Sequence, residues 1–271
     1  MKVKAIGVAT HKTDAAKNWQ RGMRHTGITS ELVGLGQPYS FDMKIKLALE
    51  AMKADLDTDI FITSDVYDVL INKSVVKNIK KTGSVKDHIL NTFYSFEKPI
   101  VVGAEIPCFS HNCYEFSFTD LSNLVEKEYK YCNSGLIIGY RDHMIELYEN
   151  LKDCKDDQMD LGELMNKYPE NFALDTESKL FYNVYVYPNK ERLKKALFVH
   201  FPGMKYIVSS AVGYNDFQTQ GYQPLNLPKI AIWSVIGFLI VVGLIIFLLY
   251  NFYWGLNPDT RAKINYPIVE Y

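Results

Sequence analysis

Two acids stand three positions apart where an apolar run stops. In FITSDVYDVLI, residues 61–71, Asp65 closes the run and Asp68 follows. Carboxylates at i and i+3, leaving a strand, can converge on one divalent cation. Hard oxygen donors of this kind suit Mg²⁺ or Mn²⁺. The pair alone also fits an Asp-rich turn, in which Asp bonds its own backbone. A third donor would separate the two readings. His200 is the best placed, because it ends the apolar run ALFVH and precedes FPGMK. An imidazole ligand suits Mn²⁺ better than Mg²⁺. A lone histidine at a strand end is otherwise an ordinary hydrogen-bonded residue.

Strands and helices must bring these groups together. Buried strands are expected over 3–10, 31–36, 59–65, 99–105, 132–140, 179–187 and 196–203. Between them, Ile45, Leu49, Met52 and Leu56 recur at one-face helical spacing, and DHMIELYENL (142–151) reads as a second helix. Continuous apolar strands alternating with helices argue for an α/β sheet covered on both faces. Ligands of such sheets bind beyond the carboxyl ends of strands. Thr10, Asp65, Glu105 and the residues after Val199 all sit at such ends.

The chain has 271 residues, with 30 Lys+Arg against 31 Asp+Glu and a formal net charge of -1. This balance gives no reason to expect nucleic acid as a partner. From Ile230 to Tyr250 no residue is charged, a length of about 30 Å as a helix, so a single membrane span is expected there. Trp233 lies near one end of it, and Tyr250, Phe252, Tyr253 and Trp254 lie at the other. The N-terminal stretch lacks a signal-peptide pattern. The expected layout is a body over 1–221, a linker over 222–229, the span over 230–250 and a tail over 251–271. The body is expected in the cytosol. The cysteines Cys108, Cys113, Cys132 and Cys154 show no zinc spacing and read as inert thiols.

No Gly-rich phosphate loop and no dinucleotide fingerprint follow the first strand. Nucleotide binding would therefore rest on a metal gripping a diphosphate, with help from Lys205. A nucleotide-sugar transferase works in this way, the metal neutralising the leaving diphosphate. Several stretches then occur in a telling order: VGLGQ at 33–37, Lys44 in FDMKI, FITSDVYDVLI at 61–71, VVGAE at 101–105, YCNSGLIIGY at 131–140, DDQ at 156–158, LDTESKLFYN at 174–183 and VHFPGMK at 199–205. Over roughly residues 3–206 the chain resembles the glycosyltransferase domain of collagen lysyl hydroxylases and related procollagen glycosyltransferases.

That resemblance implies a GT-A-type, Rossmann-like mixed sheet flanked by helices, here with a C-terminal transmembrane helix added. It implies Asp65, Asp68 and His200 as ligands of Mn²⁺ or Mg²⁺, and a UDP-sugar as donor. Tyr67 would stack on the uracil. Thr10 and Lys44 would lie near the nucleotide, and Asn133 and Gly135 along the donor sugar. Asp156 and Asp157 would face the sugar and acceptor, where either could position or deprotonate an acceptor hydroxyl. By residue type alone those two acids equally suit the start of a helix. Gly203 and Lys205 would close over the diphosphate. The family's usual His-Gly-Asn-Gly is His200-Phe201-Pro202-Gly203 here, which removes a backbone N–H donor at Pro202. The expected activity is transfer of a hexose from UDP-glucose or UDP-galactose to a hydroxyl, on hydroxylysine of a collagen-like protein or on a glycan. The alternative is a membrane-bound module that holds a nucleotide-sugar or glycan without turnover. A stand-alone, anchored form suits a large virus.

Overall fold

A computed structural model describes residues 1–106, 129–184 and 189–202. The expected span at 230–250, its linker and tail, Gly203, Lys205, Cys108 and Cys113 lie outside the described residues. Among the described residues no helix is long and apolar enough to cross a membrane.

The chain opens with β1 (Val3–Val8), α1 (Asp14–Thr26), β2 (Thr29–Val33), α2 (Phe41–Ala54) and β3 (Ile60–Ser64). After β3 come β4 (Val69–Ile71), α3 (Lys73–Ile79), α4 (Val85–Tyr94) and β5 (Ile100–Glu105). Then follow β6 (Tyr131–Tyr140), α5 (Arg141–Leu151), α6 (Asp157–Lys167), β7 (Phe172–Asp175), β8 (Phe181–Asn183), α7 (Lys190–Leu193) and β9 (Phe198–His200). Six strands form a mixed sheet in the order β2-β1-β3-β6-β5-β7, and β6 runs antiparallel to both of its neighbours. A second sheet of three strands has the order β4-β9-β8.

Strand alternation divides the core into two layers. Ile60, Ile62, Leu136, Ile138 and Val101 face Trp19 and Met23 of α1, Val75 and Val76 of α3, and Ile89 and Phe93 of α4. Their neighbours Phe61, Ile137 and Val102 face Ile45, Leu49 and Met52 of α2, Met144 and Leu147 of α5, and Leu161 of α6. Both faces of the sheet are thus covered, as the uninterrupted apolar strands predict. The two helical layers differ in charge. Residues 73–86 hold five lysines and no acid, and α1 holds Lys17, Arg21 and Arg24 after Asp14. On the other face α5 sets Asp142, Glu146 and Glu149 against Arg141, and α6 sets Asp157, Asp160 and Glu163 against Lys167.

Local signals explain most boundaries. Side chains of Thr13, Ser40, Ser84 and Asp156 accept from the first-turn amides of α1, α2, α4 and α6. Helix α1 stops at Gly27, whose φ of 76° few other residues adopt. One expected core residue is not in the core: α2 ends at Ala54, and Leu56 lies beyond it, 81% exposed. Asp55 stops the helix there. Its carboxylate accepts from the amides of Asp57 and Thr58 and pairs with Lys4, which turns the chain into β3.

Candidate metal centre

The site lies where β3 and β9 end. The Asp65 amide donates to Gly135 O at 2.8 Å. Its carbonyl accepts from Ser64 Oγ at 2.7 Å, and that hydroxyl accepts from Trp19 Nε1 at 3.0 Å. Asp68 stands just before β4, and its carbonyl accepts from the Phe201 amide at 2.9 Å. Antiparallel pairing of β4 with β9 sets Val69 opposite His200, which brings the histidine beside Asp68. Parallel pairing of β8 with β9 sets Asn183 opposite the same histidine. The second sheet therefore delivers two of the three candidate ligands.

One donor atom from each of Asp65, Asp68 and His200 lies within 4.8 Å of the other two. His200 is 2% exposed, and its Nε2 stands 3.4 Å from Asp68 Oδ1 and 3.6 Å from Asp65 Oδ2. Nδ1 lies 2.7 Å from Asn183 Oδ1, while Asn183 Nδ2 donates to Ala104 O at 2.9 Å. With its nitrogen committed to that carbonyl, the Asn183 amide can only accept from the imidazole. In the neutral ring Nδ1 then carries the hydrogen, and Nε2 offers its lone pair. Nε2 is buried without a hydrogen-bond partner. A buried acceptor costs free energy unless something binds it. Two carboxylate oxygens and one imidazole nitrogen fit Mn²⁺, and less readily Mg²⁺. Without a cation, burial pulls the His200 pKa down, but Asp68 and Asp65 outweigh it and hold the pKa above its ordinary value.

Gly135 belongs to the same centre. A Cβ on it would stand 2.7 Å from Asp65 Oδ2, and closer still to His200 Cε1. Only glycine leaves both ligands their places. The β5–β6 register explains how the backbone arrives there: Val102 pairs with Ile137 but Gly103 with Asn133, so residues 134–136 bulge from that ladder towards the site.

Helix α6 brings a second group of side chains. Asp156 caps it, its Oδ1 accepting from the amides of Gln158 and Met159 at 3.0 Å each. Asp157 is 3% exposed, and its Oδ2 meets Lys44 Nζ at 2.8 Å. The same ammonium reaches Asp65 Oδ1 at 2.7 Å. Asn133 Nδ2 donates to Glu105 Oε2 at 2.8 Å, Gln158 Nε2 donates to Glu105 Oε1, and Asn133 Oδ1 accepts from the Gly135 amide at 2.9 Å. Burial pushes the Glu105 carboxyl up to about 7, against the pull of those amide donors.

Thr10 and Tyr67 also meet. The Tyr67 hydroxyl accepts from the His11 amide at 2.8 Å and lies 3.3 Å from Thr10 Oγ1, which ties the end of β1 to the segment between the two acids. The structure thus gathers Asp65, Asp68 and His200 with Lys44, Asp157 and Gly135, and sets Thr10 beside Tyr67 and Asn133 beside Glu105. Burial lifts the Cys132 thiol to about 12 and the Cys154 thiol to about 11, so both stay neutral near pH 7. Glu105, Asn183 and Gln158 carry more of the architecture than the sequence assigns them. For Asn183 the usable signal was its place at the end of a short strand, LFYN, parallel to the one that ends in His200.

Residues 1–197 match the family model of the PLOD GT domain, the glycosyltransferase domain of lysyl hydroxylases. An uncharacterized protein of Acanthamoeba polyphaga mimivirus is 24% identical over 193 residues, which are 68% of this chain and 39% of the viral protein. The chain therefore spans about two fifths of the length of that relative. Among solved structures, a glycosyltransferase involved in the glycosylation of the major capsid of PBCV-1 aligns with a TM-score of 0.49 at 15% identity, covering 75% of this chain and 94% of that one. A protein from STIV aligns with a TM-score of 0.39 at 10% identity, covering 64% and 81%. The match over residues 1–197 covers well over half of the sequence, and the chain belongs to the PLOD GT domain family of glycosyltransferases.

Proposed function

We propose that the chain is a metal-dependent GT-A-type hexosyltransferase that takes UDP-glucose or UDP-galactose as donor and a hydroxyl as acceptor, on hydroxylysine of a collagen-like protein or on a glycan. The observation that carries this reading is the buried His200 Nε2, bare of hydrogen-bond partners and aimed at Asp65 and Asp68. Asp65, Asp68 and His200 would hold Mn²⁺ or Mg²⁺. When bound, the ion supplies positive charge against the diphosphate leaving group.

The protein's own groups do the rest. Asn183 keeps the His200 lone pair turned to the centre. Tyr67 and Thr10, joined through the tyrosine hydroxyl, border the nucleotide. Asn133 and Gly135 line the sugar, and Lys44 and Asp157 form a charged floor beneath it. Asp156 and Asp157 stand on the acceptor side at the start of α6. Asp156 spends Oδ1 on its own helix and Asp157 gives Oδ2 to Lys44, so either acid has its other oxygen to orient a hydroxyl. Anchoring through residues 230–250, with the body in the cytosol, belongs to the same proposal and rests on the uncharged sequence there. The mimiviral relative supports a viral setting.

A non-catalytic nucleotide-sugar or glycan-binding module is the second reading, favoured by Pro202 in place of a residue with an N–H. One assay separates the two. The full chain in detergent is given Mn²⁺ and a panel of UDP-sugars with acceptor peptides and glycans, and UDP release is followed. Metal-dependent release from one donor, lost in the Asp65→Ala/Asp68→Ala variant, is the expected result. Donor binding without release under every acceptor favours the binding module. Binding of no UDP-sugar removes the transferase and the nucleotide-sugar module together, and leaves only the glycan-binding module.

A further inference from the structure

Lys44 is buried on the inner side of α2, 8% exposed, with Asp65 Oδ1 at 2.7 Å and Asp157 Oδ2 at 2.8 Å from its ammonium. The two oxygens of Asp65 therefore face different partners. Oδ1 is taken by Lys44. Oδ2 faces His200 Nε2, 3.6 Å away. Behind Oδ2 the backbone of Gly135 leaves no room for even a methyl group, which limits the swing of the carboxylate. Asp157 is the second anchor. It holds the ammonium from the α6 side, so Lys44 cannot simply follow Asp65 if that side chain turns.

We propose that Lys44 sets the metal preference of this centre: by retaining Oδ1 it makes Asp65 a one-oxygen ligand, which favours a small ion of octahedral geometry, Mg²⁺ or Mn²⁺, over Ca²⁺. The inference rests on the metal site proposed above. Ca²⁺ gathers six to eight oxygens and commonly takes both oxygens of one carboxylate, whereas Mg²⁺ keeps near-ideal octahedral geometry with single oxygens. Lys44 is thus a positioning residue that acts through Asp65.

The test is a pair of titrations on the full chain in detergent. Mn²⁺ binding is read from the EPR signal of the free ion, and Ca²⁺ binding from its competition for bound Mn²⁺. The native chain should bind Mn²⁺ at least about tenfold more tightly than Ca²⁺. The Lys44→Met/Asp157→Asn variant removes the ammonium and one carboxylate together, so the formal charge of the cluster is unchanged while Oδ1 is freed. Its preference should shrink by about tenfold, and Lys44→Arg should keep the native preference. A native chain that binds Ca²⁺ as tightly as Mn²⁺ overturns the proposal before any variant is made. A double variant that melts cooperatively and keeps the native preference also overturns it, while leaving the metal site standing. A native chain that binds neither ion removes the site itself, and the role of Lys44 with it.

Discussion

At the scale of single residues, the centre depends on groups that never touch the cation. Asn183 fixes the His200 tautomer through one hydrogen bond and is itself fixed by Ala104 O. Losing such a partner typically weakens a metal site by about 10- to 100-fold. Asn183→Ala should therefore lower Mn²⁺ affinity by about that factor, as read by EPR titration. An unchanged affinity would show that burial alone orients the ring. Gly135→Ala should be more severe: the added methyl meets Asp65 and His200 together, and Mn²⁺ binding should fall by more than about tenfold. Substitution at Gly27, where a Cβ meets nothing, should leave the metal site unchanged and cost stability through its backbone conformation. The identities of Asp65, Asp68 and His200 are legible in the sequence because Asp65 and His200 each end an apolar run and Asp68 follows three positions after Asp65. Lys44 and Asp157 are legible only as residues of the right type. Their pairing across 113 positions needs α2 and α6 to lie on one face, and no local pattern states that.

At the scale of elements, α6 links the acceptor side to the ligands. Its first residues send Asp157 to Lys44 and Gln158 to Glu105. The Asp156 cap holds that first turn in place. Asp156→Ala should cost about 1 kcal/mol of stability, measured by thermal or denaturant melting. If the cap also positions its neighbours, Mn²⁺ affinity should fall with it; a stability loss with unchanged affinity would confine Asp156 to capping. In the large sheet β1, β3, β5 and β6 are readable from their uninterrupted apolar runs, whereas β2 starts two residues before the expected 31–36 and the four-residue β7 is not among the expected strands. The three-residue strands β4, β8 and β9 are harder. Only their pairing makes them a sheet, so 179–187 and 196–203 read as longer strands than the three residues each one pairs. The short β4 is hidden in the tail of FITSDVYDVLI. Helices α3 and α4 escape notice because their lysines and polar residues dilute the apolar face.

At the scale of the whole molecule, buried titrating groups set how stability follows pH. The Glu105 carboxyl is raised from 4.5 to about 7. The folded state thus holds that proton more tightly than the unfolded chain, and the stability this confers is full below 4.5 and lost as pH rises through about 7. His200 without metal acts in the same direction: its contribution is full below 6.5 and lost as pH climbs through its raised value. With a chelator present, the melting midpoint should fall as pH rises from 4.5 through about 7. Mn²⁺ should restore more of it at the upper end, because ligation needs the neutral imidazole. A midpoint that rises over this range would show that other groups dominate.

The division of charge between the two helical layers has a practical consequence. A formal net charge of -1 describes a chain whose charges are averaged, and the folded body does not average them. A negatively charged chromatography matrix meets one face at a time. With the lysines of 73–86 gathered on one layer and the acids of α5 and α6 on the other, the folded chain should be retained by both cation and anion exchangers at pH 7 and low salt. In urea the same chain, its charges mixed along a flexible coil, should pass through the cation exchanger.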